Sequence, residues 1–156
     1  MRNYLCFKKR ALMPVNENVH IFPVRVYYED TDAAGIVYYA NYFRFAERAR
    51  TEMLRSVKID QNTLFEKSGV RFAVRSCNIE YLKPARLDDE LEVHTRIRGI
   101  RGASLLTKQI VQGKKGATAC LDLRIACVDQ SGVPARLPVE VRSALETYLQ
   151  VSQGAC

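Results

Sequence analysis

An α+β fold, with an antiparallel sheet laid on one long helix, follows from three observations in this 156-residue chain. Between residues 39 and 57, Tyr39, Tyr42, Phe43, Ala46, Ala49, Met53 and Val57 recur at helical spacing. Beyond residue 70 the apolar period drops to two, the spacing of strands. The connectors between those strands are short and carry glycine, as hairpins require.

Taken in order, residues 19–28 are rich in β-formers and read as a first strand, with His20 at its very start. An acidic turn, Glu29–Gly35, separates it from the helix of residues 39–57. Phe45 and Leu54 widen the apolar stripe of that helix, so its surroundings should wrap it. Arg44, Glu47, Arg48, Glu52 and Arg55 fill its polar side at spacings that allow ion pairs. A short helix over 62–67 should end at Gly69. Val70, Phe72 and Val74 then alternate in one phase, and Cys77, Ile79 and Tyr81 in the other. One inserted residue, a β-bulge near Arg75–Ser76, reconciles them. Leu91, Val93, Thr95 and Ile97 predict the next strand, and residues 105–111, apolar on both faces, a central one. The run from Ala117 through Ala119, Leu121, Leu123 and Ile125 to Cys127 gives the clearest alternation, and residues 138–150 a closing helix. The length suits a single domain. Its expected limits are 19–150, with a basic extension at 1–18 and a tail at 151–156.

The net charge of +7 is concentrated at one end, since Arg2, Lys8, Lys9 and Arg10 supply four charges with no acid before Met13. No secretory apolar core follows them, and no run approaches the ~18 apolar residues of a membrane helix. A frayed arm, or a start at Met13, accounts for these charges. Peripheral membrane contact is the sharper alternative, and nucleic acid is not an expected partner. Five cysteines without CxxC spacing suggest reduced thiols and a cytoplasmic chain. Cys77, Cys120 and Cys127 read as small core residues.

The chemistry concentrates in EDTDAAGIVYYANY, from Glu29 to Tyr42. Here Asp32 precedes a turn made flexible by Gly35, and the turn runs into a helix start near Tyr38–Asn41. Free N–H groups at such a start stabilise an oxyanion, and a carboxylate opposite them serves as general base or nucleophile. An Asp before a helix is also a common cap or turn residue, and Asp30 and Glu29 read as turn and solubility residues. No GxSxG elbow, Cys–His pair, zinc ligand set or complete calcium loop is present, so no metal or cofactor is expected.

RVYYEDTDAAGIVYYANYFRFAERARTEML, followed in register by FAVRSCNIEYLKPARLDDELEV and RIRGIRGASLLTKQIV, closely resembles the hotdog-fold acyl-CoA thioesterases. The stretch is most similar to the 4-hydroxybenzoyl-CoA thioesterase-like family, in particular its Tol–Pal-associated YbgC type. The resemblance implies a sheet wrapped around the long helix, with hydrolysis of an acyl-CoA to free acid and CoA. It assigns the catalytic carboxylate to Asp32 and the oxyanion donor to the Tyr39 backbone N–H, where many relatives carry His. That departure removes a side-chain proton relay but leaves the backbone donor. Dehydratases of the same fold need a His beside the acid, and His20 and His94 lie elsewhere.

Coenzyme phosphates imply a basic rim, to which Arg98, Arg101, Lys108, Lys114 and Lys115 are candidates, Arg98 and Arg101 by position in the family. Gly102 and Ala103 depart from the basic pattern that some members carry there. Tyr81, Lys83 and Pro84 read as structural, and Glu47 as an ion-pair partner, although some hotdog thioesterases use a helical Glu as base. The family also implies a homo-oligomer, dimer or tetramer, with sites at subunit interfaces. Acyl carrier protein as the acyl donor, and an envelope-associated interaction protein working near the inner membrane, are the alternatives.

Overall fold

The computed structural model describes residues 18–149. The expected extension, apart from Asn18, and the expected tail lie outside the described residues. Strand β1 (His20–Arg25) leads through a 3-10 turn at Tyr28–Asp30 to helix α1 (Asn41–Ser56) and helix α2 (Gln61–Ser68). Strands β2 (Arg71–Tyr81), β3 (Glu90–Ile100), β4 (Ser104–Gly113) and β5 (Gly116–Val128) follow, then helix α3 (Val139–Leu145). All pairings are antiparallel, in the order β1-β3-β4-β5-β2, so β1 and β2 are the edges.

The sheet presents Leu91, Val93, Ile97, Leu105, Val111, Leu121, Leu123 and Ile125 to a core completed by Phe45, Ala46, Ala49 and Met53 of α1. The expected bulge falls at Arg75, where pairing steps from Val74↔Ile125 to Ser76↔Arg124. It lets both phases of β2 face inward along one strand.

Several expectations are corrected. The first strand begins at His20 and stops at Arg25, because the chain must turn for Tyr27 and Asp30 to cap the 3-10 turn. Strand β4 is central, but its buried face carries Thr107 and Gln109 beside Leu105 and Val111. Gln109 is accommodated because its side-chain amide is well used: Nε2 donates to Ala46 O and Thr95 Oγ1, both at 2.9 Å, and Oε1 accepts from Arg50 Nη1 at 2.8 Å. The closing helix is shorter than expected, giving way at Glu146–Tyr148 to a 3-10 turn that brings Leu149 beside Ile97. Cys127 is buried, whereas Cys77 and Cys120 are only half-buried.

Helix α1 ends without a glycine. Lys58 takes the left-handed conformation (φ +61°), and the N–H groups of Lys58 and Ile59 close back on Arg55 O and Leu54 O. This is the double closure that usually recruits glycine.

Candidate active site

Two aspartates two residues apart have opposite surroundings. Asp30 is buried, its Oδ2 accepts from Tyr27 N at 2.9 Å, and its carbonyl accepts from Tyr38 N at 2.8 Å and Asn41 Nδ2 at 2.9 Å. It is therefore a clamp joining the turn to the start of α1, not a solubility residue. Asp32 is exposed. Its Oδ1 accepts from Ala34 N at 2.8 Å, and no hydrogen bond to Oδ2 forms among the described residues. Pairing of Thr31 with Val37, the Asp32 N to Ile36 O bond at 3.1 Å and the Gly35 N to Asp32 O bond at 2.9 Å fold residues 31–37 into a tight loop. Gly35 sits at φ +71°, a conformation that costs other residues about 1–2 kcal/mol.

The loop delivers the chain to α1, whose N-cap residue is Ala40 with no side-chain cap. Uncapped helix N–H groups keep their capacity for an external acceptor. The Tyr39 N–H finds no partner among the described residues, while its carbonyl accepts from Tyr81 Oη at 3.1 Å. Tyr81 packs edge-on against Tyr39 and Tyr42, and the Tyr38 and Tyr39 rings lie 4.6 Å apart. The Tyr38 hydroxyl is pushed above its ordinary value, chiefly by its hydrogen bond with Tyr39 and in part by the Asp32 charge.

Sequence reasoning missed Tyr81 as a positioning group. Its only sequence signal is a tyrosine on the inward phase at the end of a strand. Arg86 was also missed: its Nη1 reaches Gly35 O at 3.4 Å, and Ala85 O accepts from Val37 N at 2.8 Å. Residues 81–86 therefore form the second wall of the loop.

Asp32 and Gly35 share one loop, which runs into Tyr39 through the bond from Tyr38 N to Asp30 O; Arg98 and Arg101 do not join them within one chain. The level of Tyr81 runs across the sheet through Ala119 and Val111 to Val93. From there Arg98 lies five residues along β3, roughly 16 Å at the usual strand rise. Arg98 is exposed beside Asp122 (3.9 Å), which Lys108 also approaches (3.8 Å). Arg101 lies exposed in the β3–β4 turn, its N–H bonded to Ser104 O. Glu47 forms no ion pair among the described residues and instead accepts from Thr51 Oγ1 at 2.8 Å. It borders a cavity of about 150 Å³ between α1 and the sheet, together with Arg50, Phe72, Val74 and Thr107.

Against known proteins, the sequence profile of the thioesterase-like superfamily matches residues 26–145. The chain belongs to the thioesterase-like superfamily. Among its members, the acyl-CoA thioesterase YbgC of Haemophilus influenzae is 43% identical over 129 residues, covering 82% of this chain and 95% of that one. The acyl-CoA thioester hydrolase YbgC of Escherichia coli O6:H1 is 47% identical over 116 residues, 74% of this chain and 86% of that one. A crystal structure of a probable thioesterase from Bartonella henselae superposes with a TM-score of 0.73 at 35% identity, covering 77% of this chain and 99% of that one. The 1,4-dihydroxy-2-naphthoyl-CoA thioesterase from Synechocystis superposes with a TM-score of 0.75 at 19% identity over 81% and 95% of the two chains, a likeness of fold. The fold is the hotdog fold of these thioesterases, and the thioesterase-like chain is a thioester hydrolase.

Proposed function

We propose that this chain hydrolyses acyl-CoA thioesters, with Asp32 as general base or nucleophile and the Tyr39 backbone N–H as oxyanion donor. The observation that carries the reading is one exposed carboxylate, with an oxygen free among the described residues, in the loop that leads into an uncapped helix start, where the Tyr39 N–H is likewise unspent. As a base, Asp32 takes a proton from water while the hydroxide adds to the thioester carbonyl; collapse expels the CoA thiolate, which is then protonated. As a nucleophile, its carboxylate adds to the carbonyl, and the thiolate departs from the tetrahedral adduct, is protonated, and leaves behind a mixed anhydride. Water then cleaves the anhydride and restores Asp32. In both routes negative charge grows on the carbonyl oxygen, where the helix start stabilises it. Gly35 lets the loop bring Asp32 to that oxygen, and Tyr81 holds the peptide after the donor by donating to Tyr39 O.

The assembly belongs to the same proposal. Edge strand β2 leaves Val74 50% and Tyr81 47% exposed over an eleven-residue ladder, which supports pairing with a second copy, as a dimer or a pair of dimers. In such an assembly Arg98 and Arg101 would serve coenzyme phosphates bound at another chain's Asp32. Among the described residues no helix is long and apolar enough to cross a membrane, and a cytoplasmic location suits the substrate.

Asp32→Asn tests the chemistry. It preserves shape and the bond from Ala34 but removes the base or nucleophile. The expected result is an unchanged melting temperature with kcat reduced by on the order of 10² or more. Wild-type turnover in the variant would remove Asp32 from the mechanism.

A further inference from the structure

The densest group of cations near Asp32 is not at Arg98 but on the hairpin joining β4 and β5. This hairpin turns through Lys114 and Lys115, with Gly113 paired to Gly116. Lys83 and Arg86, just beyond β2, face it across a cavity of about 340 Å³ whose lining also includes Asp89, Glu90 and Thr118. Two of the four cations are held by neutral carbonyls. Lys83 Nζ donates to Lys115 O at 2.7 Å, and Arg86 Nη1 reaches Gly35 O at 3.4 Å. A carbonyl fixes a cation in place without cancelling its charge, as a carboxylate would. Gly116 sits at φ +116°, and a Cβ there would come 3.0 Å from Lys83 Nζ, so the turn leaves room for the ammonium.

The two carboxylates in the lining are already committed. Asp89 Oδ2 accepts from Arg86 N at 2.8 Å, and Glu90 is shared between Arg25 and Lys114. Lys115 forms no ion pair among the described residues. The cleft thus keeps an excess of positive charge, and Arg86 connects it to the loop that carries Asp32.

We propose that this cleft binds a phosphate of the carrier on which the acyl group arrives, the phosphate of a phosphopantetheine arm or of its attached nucleotide. The inference rests on the thioesterase reading above and adds a phosphate site on the same chain as Asp32. Exposed lysines act on a phosphate as point charges, so the contact forms equally in ground and transition states and is felt in KM.

The test is the double variant Lys114→Gln/Lys115→Gln in the full chain, assayed with one acyl group on CoA, phosphopantetheine, pantetheine and acyl carrier protein. KM for acyl-CoA should rise about tenfold at low salt with kcat unchanged, as for two exposed charge contacts. The difference should shrink as salt rises, and acyl-pantetheine, without phosphate, should respond to neither change. An equal rise for CoA and phosphopantetheine assigns the cleft to the arm's phosphate, and a rise for CoA alone assigns it to the nucleotide. An unchanged KM for both, a matching rise with pantetheine, or an effect confined to carrier protein overturns the proposal. Calorimetry with CoA separates this outcome from failure of the thioesterase reading. If wild type cleaves no thioester, weaker CoA binding by the variant still supports the cleft. If wild type cleaves acyl-pantetheine while the variant binds CoA unchanged, only the cleft fails.

Discussion

The two ends of the sheet spend their polar groups differently. At the end bearing Asp32, bonds to the main chain do the fastening, with the side chains of Asp30, Asn41 and Tyr81 each gripping a backbone group. Their work leaves Oδ2 of Asp32 and the Tyr39 N–H unspent. At the end bearing Arg98, side chains face one another: Arg98 and Lys108 both lie near Asp122, while the Arg101 side chain forms no ion pair among the described residues. A structure that secures its loop through the backbone keeps side chains for chemistry. One that pairs charges on its surface gains little stability and yields those charges readily to a ligand.

This contrast sets the order of the expected effects. Asp32→Asn, with its loss of about 10² in kcat at constant stability, should be the largest effect on turnover. Asp30→Ala should act on the same loop in the opposite sense. It leaves the part-buried Tyr27 N–H without its acceptor and should cost about 0.5–1.5 kcal/mol in denaturant unfolding. If Asp30→Ala instead left stability intact and abolished turnover, the roles assigned to the two aspartates would be exchanged.

At the other end, Arg98→Ala/Arg101→Ala should leave unfolding within ~0.5 kcal/mol of wild type, as exposed substitutions do. If a second chain brings these residues to the coenzyme, KM for acyl-CoA rises several-fold and kcat holds; steady-state kinetics at two salt concentrations distinguishes this from no role. Gly35→Ala sharpens the account of the loop. At φ +71° it should cost about 1 kcal/mol, and its nearest neighbour, Arg86 Nη1 at 4.0 Å, leaves room for the methyl. A strain-only effect predicts a lower melting temperature with kcat nearly retained.

The smallest effect lies in the wall behind the loop. Burial raises the Tyr42 hydroxyl above its ordinary value of 10.0. The fold therefore favours the neutral phenol. That contribution is complete below pH 10 and is lost as pH rises through the raised value. Tyr42→Phe should hold its melting temperature better than wild type above pH 10, a difference that vanishes at pH 7 apart from a constant offset.

Much of this was legible in the residues alone. The period of two, the inserted Arg75 and the wide stripe of α1 determined the elements, because side-chain direction in helices and strands is a local property. The loop that carries Asp32 and Gly35 into the start of α1 was legible because its residues are neighbours in sequence and it needs only one turn. The left-handed Lys58 and the polar inner face of β4 carried no such signal. The first is tolerated because the helix end is closed by backbone bonds, the second because Gln109 meets Ala46, Thr95 and Arg50 from distant segments.

Composition and spacing also could not tell Asp30 from Asp32. Both are acids in one turn, and only packing against Asn41 and Tyr38 buries the first while leaving the second exposed. The sequence by itself determined which elements form and where the acidic loop meets the helix start, since those depend on near neighbours. Only the tertiary structure decided that Tyr81 and Arg86 close around that meeting point while Arg98 stands far along the strand. Strand register sets those distances, and register is fixed by partners brought from elsewhere in the chain.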